Sequence, residues 1–184
     1  MSLFHSSTQR LIDYWRQRSV DGRPPARADI DPAHFASLAP QTFMAGRVCS
    51  GVYPLRLVGG FVRDLHGRDV RLQNALSLFT LADRMGLQVA LEMGRRRPEP
   101  IVVTVDARGA EGAPVPMEIL FAPLSGGESG PDRFLGLYQP LSFVSQLRGQ
   151  PVGEFRIKSL RSTGPANEAG PRIRLAALDG RRIA

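Results

Sequence analysis

Apolar and polar positions follow two different periods along the chain, and the switches between them mark its elements. Over residues 6–20, Thr8, Leu11, Ile12 and Trp15 fall on one side of a 3.6-residue repeat, which predicts an amphipathic helix. Ser6 and Gln9 have the spacing of a capping box, and Asp21-Gly22 supplies a stop. Arg23-Pro24-Pro25 predicts an extended linker, because the residue before a proline avoids the helical region. Asp31-Pro32 then opens a short second helix with Phe35 and Leu38 on its apolar side, closed by Pro40. The period changes to two over residues 41–48 and 53–58, two strands joined by a turn at Cys49-Ser50-Gly51. Gly59-Gly60 breaks the second strand, and a turn of helix over 61–65 leads to Gly67.

Residues 72–93 form the longest helical stretch. Leu72, Ala75, Leu76 and Phe79 mark one stripe, and Leu78, Leu81, Ala82, Met85 and Val89 an adjacent one, so the predicted apolar face is wide. Gly94 and Pro98 stop this helix, with Arg95-Arg96-Arg97 as cations beside its C-terminus. Three more strands fit 101–107, 115–124 and 133–140, with a glycine- and serine-rich hairpin connection over 125–132. Two strands, a helical middle and a three-stranded meander make an α+β domain. It has a five-stranded antiparallel sheet, the first strand beside the last, helices on one face, and an extra N-terminal helix. The chain divides into a helical extension and linker (1–40), a core (41–145) and a basic tail expected to be largely flexible (146–184). Within that tail, residues 171–178 have some strand character.

Composition narrows the function. At 42% hydrophobic and 22% charged, the chain has enough apolar content for a real core. Its aliphatic runs, such as Ile101-Val102-Val103, are too short to cross a bilayer, and no leader pattern opens it, which places it in the cytoplasm. Cys49 is the sole cysteine, so no internal disulfide forms, and it reads as a small core or edge residue. His5, His34 and His66 lack ligand spacing, so no metal site is expected. The net charge of +7 is uneven. From Arg148 onward eight basic side chains face three acidic ones, which puts +5 on the tail and leaves +2 for the rest. No phosphate-binding loop surrounds Lys158-Ser159, because Val152 and Ile157 stand where glycines are needed. No nucleophile elbow occurs at 125–130, and Asp29 and Asp31 read as turn and cap residues. Catalysis is not expected.

Several segments in order resemble a bacterial PAS-like family common in alphaproteobacteria. They are Asp13-Tyr14-Trp15, the run from Gly22-Arg23-Pro24-Pro25 to Asp31-Pro32, Leu55-Arg56-Leu57-Val58-Gly59 and Leu65-His66-Gly67. Glu118, Ala122-Pro123-Leu124 and Leu135-Gly136 match in the later strands. Gly60 and the Leu78-Phe79 pair depart from the family pattern, which has a threonine-like residue at the first place and an aromatic, usually tryptophan, after the glycine turn. The resemblance covers residues 8–142. It implies a sensory or regulatory domain that encloses a ligand or binds a partner, and it implies no activity.

Three functions follow. The first is a signalling module that acts by protein–protein interaction, docking a partner through its sheet or through the N-terminal helix with Leu11, Ile12 and Trp15. That helix folds back on its own sheet, or packs against a second copy in a homodimer or against another protein. The second is a sensor with a small apolar ligand or a cofactor of unknown identity, held by Leu57, Phe79, Leu81, Met85 and Val89. Its rival is a dry core filled by the same residues. The third, behind both, is nucleic-acid binding by the arginine-rich tail. No recognised motif supports it, and the aromatics are not interleaved with the basic residues.

Overall fold

The computed structural model describes residues 3–126 and 132–164. Helix α1 spans Ser6–Arg18. Its cap is not the Ser6–Gln9 box but His5, whose Nδ1 accepts from the Ser7 N–H (3.2 Å). The His5 N–H in turn donates to both oxygens of the Glu118 carboxylate, at 3.2 and 3.1 Å. Two 3₁₀ segments follow, Arg27–Asp29 and Pro32–Gln41, the second capped by Asp31 as its sequence predicts. Strands β1 (Thr42–Gly46) and β2 (Leu55–Val58) lead to the short helix α2 (Gly60–His66), which ends at Gly67 in the left-handed conformation.

The stretch read as one helix over 72–93 is divided in the structure. Asn74 accepts the N–H groups of Tyr53 (3.0 Å) and Leu76 (3.3 Å), and such side-chain bonds compete with a continuous helix. The result is a 3₁₀ turn, Ala75–Leu78, an extended Phe79, and helix α3 over Leu81–Arg96. Strands β3 (Ile101–Arg108), β4 (Val115–Leu124) and β5 (Arg133–Pro140) form the meander.

The sheet is antiparallel, in the order β2-β1-β5-β4-β3-β6. The five expected strands are present, and β1 lies beside β5. The sixth, β6 (Glu154–Ser162), falls within the stretch read as a basic tail and pairs along β3. It belongs to the fold because Phe155 is fully buried in the core, while Arg156, Lys158 and Arg161 point outward and dominate its composition. The outer edge of β6 is partly covered. Phe155 O accepts from Thr80 N–H (3.0 Å), and Asp83 Oδ2 accepts from Ile157 N–H (2.9 Å). Edge strands need such cover to avoid pairing with other chains. Residues 171–178 lie outside the described residues.

Helices cover both sheet faces, not one. On the first face α2 and α3 bury Val62, Leu87 and Leu91 against Val103, Ile119 and Phe121. On the second, α1 and the Pro32–Gln41 segment bury Leu11, Ile12, Trp15 and Phe35 against Val102, Leu120 and Leu137. The alternation along β4 therefore feeds two cores. Among the described residues no helix is long and apolar enough to cross a membrane.

Two close fits hold the layers together. The Trp15 indole N–H donates to the Pro123 carbonyl (2.6 Å). Pro123 cannot donate to a ladder, and although it pairs with Phe134 of β5, β3 begins at Ile101 opposite Phe121 and does not reach it. On the other face, Phe43 and Phe121 meet edge to face over Gly136, with ring centroids 5.3 Å apart. A Cβ at Gly136 would collide with the Phe43 ring. Gly136→Ala is therefore expected to cost about 1–3 kcal/mol through overpacking. Trp15→Phe should cost about 1–3 kcal/mol by stranding a buried carbonyl. Urea unfolding of each variant measures both; a loss below 0.5 kcal/mol (about the scatter of neutral surface changes) would contradict the corresponding contact.

Candidate functional site: a filled interior and an apolar outer helix face

The space between α3 and the sheet is occupied by the chain's own rings. Phe43 packs on Tyr138 (5.4 Å), Tyr138 on Phe155 (5.3 Å) and Phe155 on Phe79 (5.4 Å). Phe134 lies against both Phe121 (6.3 Å) and Tyr53 (5.9 Å). Offset and edge-to-face pairs at these distances are favourable beyond simple burial.

Among these rings sits His66, buried at the end of α2. Its Nδ1 faces the Val152 carbonyl at 3.1 Å, and a carbonyl only accepts, so Nδ1 carries the proton. That leaves Nε2 as acceptor for the Tyr138 hydroxyl at 3.3 Å. Burial pushes the His66 pKa below its ordinary value and the Tyr138 pKa above its own. The pair is thus a neutral polar link joining α2, β5 and the segment before β6.

A second polar cluster fastens the C-terminal half of α3. Arg47 grips the Glu92 carboxylate with two bonds, of 2.8 and 3.0 Å, and the Tyr53 hydroxyl donates to it at 2.6 Å. Arg95 lies 3.4 Å from the same carboxylate and 3.0 Å from Asp132. Burial pushes the Glu92 pKa up, but the bonds from Arg47 and Tyr53 outweigh it and hold the group down at about 2. Burial, followed by the bond to Glu92, raises Tyr53 above the usual phenol range.

The five residues read as ligand-holding are not brought together. Phe79 alone faces the interior. Leu81, Met85 and Val89 are 80%, 68% and 47% exposed, and Leu57 is 48% exposed. The inward face of α3 is instead Leu87, Leu91 and Gly94, with Ala90 packed alongside. Both sides of α3 are apolar in sequence, so periodicity alone could not choose between them. Gly94, pressed against Ile101, marks the inner side. The residues read as an interface, Leu11, Ile12 and Trp15, are buried on the chain's own sheet, which is the fold-back alternative. His66, Tyr138, Glu92 and Arg47 were not singled out for the interior, because a lone polar residue in an apolar stretch carries no spacing signal. Cys49, read as a core or edge residue, is exposed in the β1–β2 turn rather than in the core. Among the described residues no cluster of His, Cys, Asp or Glu could hold a metal ion. Of the basic residues read as tail, Arg156, Lys158 and Arg161 lie on β6, with Lys158 paired to Asp106 (3.3 Å).

The polar links predict an acid unfolding in two stages. His66 has a folded pKa below its unfolded 6.5, so below that pH the unfolded chain binds a proton that the folded one does not. Its stability contribution is complete above pH 6.5 and is lost as pH falls below it. Glu92 contributes above its unfolded 4.5, and that contribution is lost between there and about 2. Thermal melts against pH should show a first decline starting near pH 6.5 that is absent in His66→Phe. A second, below pH 4.5, should be reduced in Glu92→Gln. A wild-type curve flat from pH 7.5 to 5.5 would contradict a buried neutral His66.

A family model described as PAS domain matches residues 3–139. The comparison with curated proteins found no match. Among solved structures, the chain is similar to the Rhodobacter sphaeroides LOV protein, at 20% identity and a TM-score of 0.43. That match covers 64% of this chain and 73% of the other. With the family match running from the start of α1 to the end of β5, the chain belongs to the PAS domain family.

Proposed function

We propose that this sensory PAS domain works as a regulatory module in the cytoplasm, relaying its state through contact with another protein and performing no catalysis. The observation that carries this reading is the filled interior. The ring ladder from Phe43 through Tyr138 and Phe155 to Phe79 occupies the place where a bulky cofactor would have to lie. Admitting one would mean displacing several buried aromatics, each a large share of the core's stabilisation. With sheet and N-terminal helix packed on one another, the surface open to a partner lies elsewhere, on the outer side of α3.

A second reading, a sensor of a small apolar ligand, has one observation in its favour. A cleft of about 250 Å³ between α2 and the 144–151 segment is lined by Phe61, Leu65, Leu147 and Pro151. Leu65 and Gly67 in that lining flank His66 in the chain, so a ligand there would sit beside the buried His66–Tyr138 pair.

An absorption spectrum and a native mass of the purified protein separate the two. The expected result is no absorption beyond the aromatic band and the mass of bare polypeptide. A visible chromophore, or an added mass that survives gel filtration, would overturn the protein-contact reading.

A further inference from the structure

The outer ridge of α3 inverts the usual rule of burial. Leu81, Met85, Val89, Glu92 and Arg96 follow one another at helical spacing along it. The acidic member, Glu92, is buried, because Arg47 and Tyr53 at either end of the β1–β2 turn close over it. The three apolar members are exposed. The same turn is tied to α3 by a bond from Gln88 to Ser50 (3.1 Å), and it adds exposed Val48 and Val52 beside the helix. Every exposed position of α3 before Arg96 is apolar, and an exposed apolar patch of this kind marks a contact surface.

The charges choose the occupant. At the C-terminal end of the ridge, Arg96 and Arg97 are exposed and carry no ion pair among the described residues. A second copy packed parallel would set these arginines against themselves. Packed antiparallel, it would set them against the positive N-terminal end of the facing α3. The one carboxylate there, Asp83, is tied down by Thr80 and the Ile157 N–H, and its charge is offset by Arg84 beside it, which binds only carbonyls. Both arrangements are repulsive. A helix with an acidic first turn, lying antiparallel, instead meets Arg96 and Arg97 with carboxylates, and its positive N-terminus meets the negative C-terminal end of α3.

We propose that the outer ridge of α3, from Leu81 through Met85 and Val89 to Arg96 and Arg97, is a docking site for an amphipathic helix of another protein with an acidic first turn, bound antiparallel. The inference rests on the protein-contact reading above and names its partner's chemistry. The probe is a synthetic helical peptide with Asp and Glu in its first turn and leucines at four-residue spacing behind it. The control carries the same residues with the acidic turn moved to the C-terminus. Titration by fluorescence anisotropy should show the first peptide binding at least tenfold more tightly than the control. Met85→Glu, Leu81→Ser and the pair Arg96→Glu with Arg97→Glu should each weaken it at least tenfold. These positions are exposed, and unchanged thermal melts would confirm intact variants. Absence of saturable binding, equal binding of both peptides, or a native dimer that Met85→Glu dissociates would overturn the proposal. A failed titration on bare polypeptide removes this inference alone, whereas a bound chromophore removes the reading beneath it.

Discussion

Burial of the sheet on both faces is the constraint from which the rest of the architecture follows. Strands β4 and β5 have no solvent side. Met117, Ile119 and Phe121 feed the core beneath α3, while Leu120, Ala122 and Leu124 feed the one beneath α1. A strand of this kind can exist only if both covering layers are present, since removing either exposes a row of large apolar side chains to water. Helix α1 is therefore part of the domain rather than an appendage. Trp15 and the Glu118 carboxylate tie its two ends to the same strand, one through the Pro123 carbonyl and the other through the His5 N–H. With α1 in place, the second face is unavailable to a partner along most of β4 and β5.

Much of the fold was legible in the sequence because it rests on local signals. The five strands and the Asp31-Pro32 helix start follow from alternation and turn chemistry that need no tertiary information. The misreadings share a different cause. Strand β6 is rich in basic residues because only Phe155 and its neighbours on one side face the core, so its composition resembles a solvated tail. The break at Asn74 depends on Tyr53, whose N–H shares the same side-chain oxygen from 21 positions away. The cap at His5 likewise depends on Glu118 across the sheet. In each case a residue's role is set by a partner remote in sequence, and propensity gives way to that partner.

The candidate site was less legible than the fold for the same reason in sharper form. Leu81, Met85 and Val89 were read as facing the interior, around a ligand or in a dry core, because apolar residues at helical spacing usually point inward. The reading fails because α3 has apolar residues on opposite sides, and the sheet takes the side with Leu87, Leu91 and Gly94, where the absence of a side chain on Gly94 lets the helix approach Ile101. Glu92 misleads in the opposite direction. A glutamate in mid-helix is ordinarily solvated, yet here it is enclosed by a guanidinium and a phenol. Burying it is tolerable only because both partners are present, and breaking such a group by removing one partner costs more than the group contributes in net stability.

These two polar clusters bracket the domain in a way that bears on signalling. Glu92 binds the C-terminal half of α3 to both ends of the β1–β2 turn, while the N-terminal end of α3 is held through Asp83 to β6. The His66–Tyr138 link ties α2 and β5 to the carbonyl of Val152, two residues before β6 begins. A displacement of β6 would therefore reach α3 through Asp83 and α2 through His66. Both routes lead to the face of the molecule that carries the exposed apolar ridge. Phe155, packed at once on Tyr138, His66 and Phe79, stands where they meet. In a close-packed interior a ring in that position cannot shift without its neighbours shifting too. The sixth strand, which the sequence disguises as a tail, is thus mechanically connected to the exposed apolar ridge of α3.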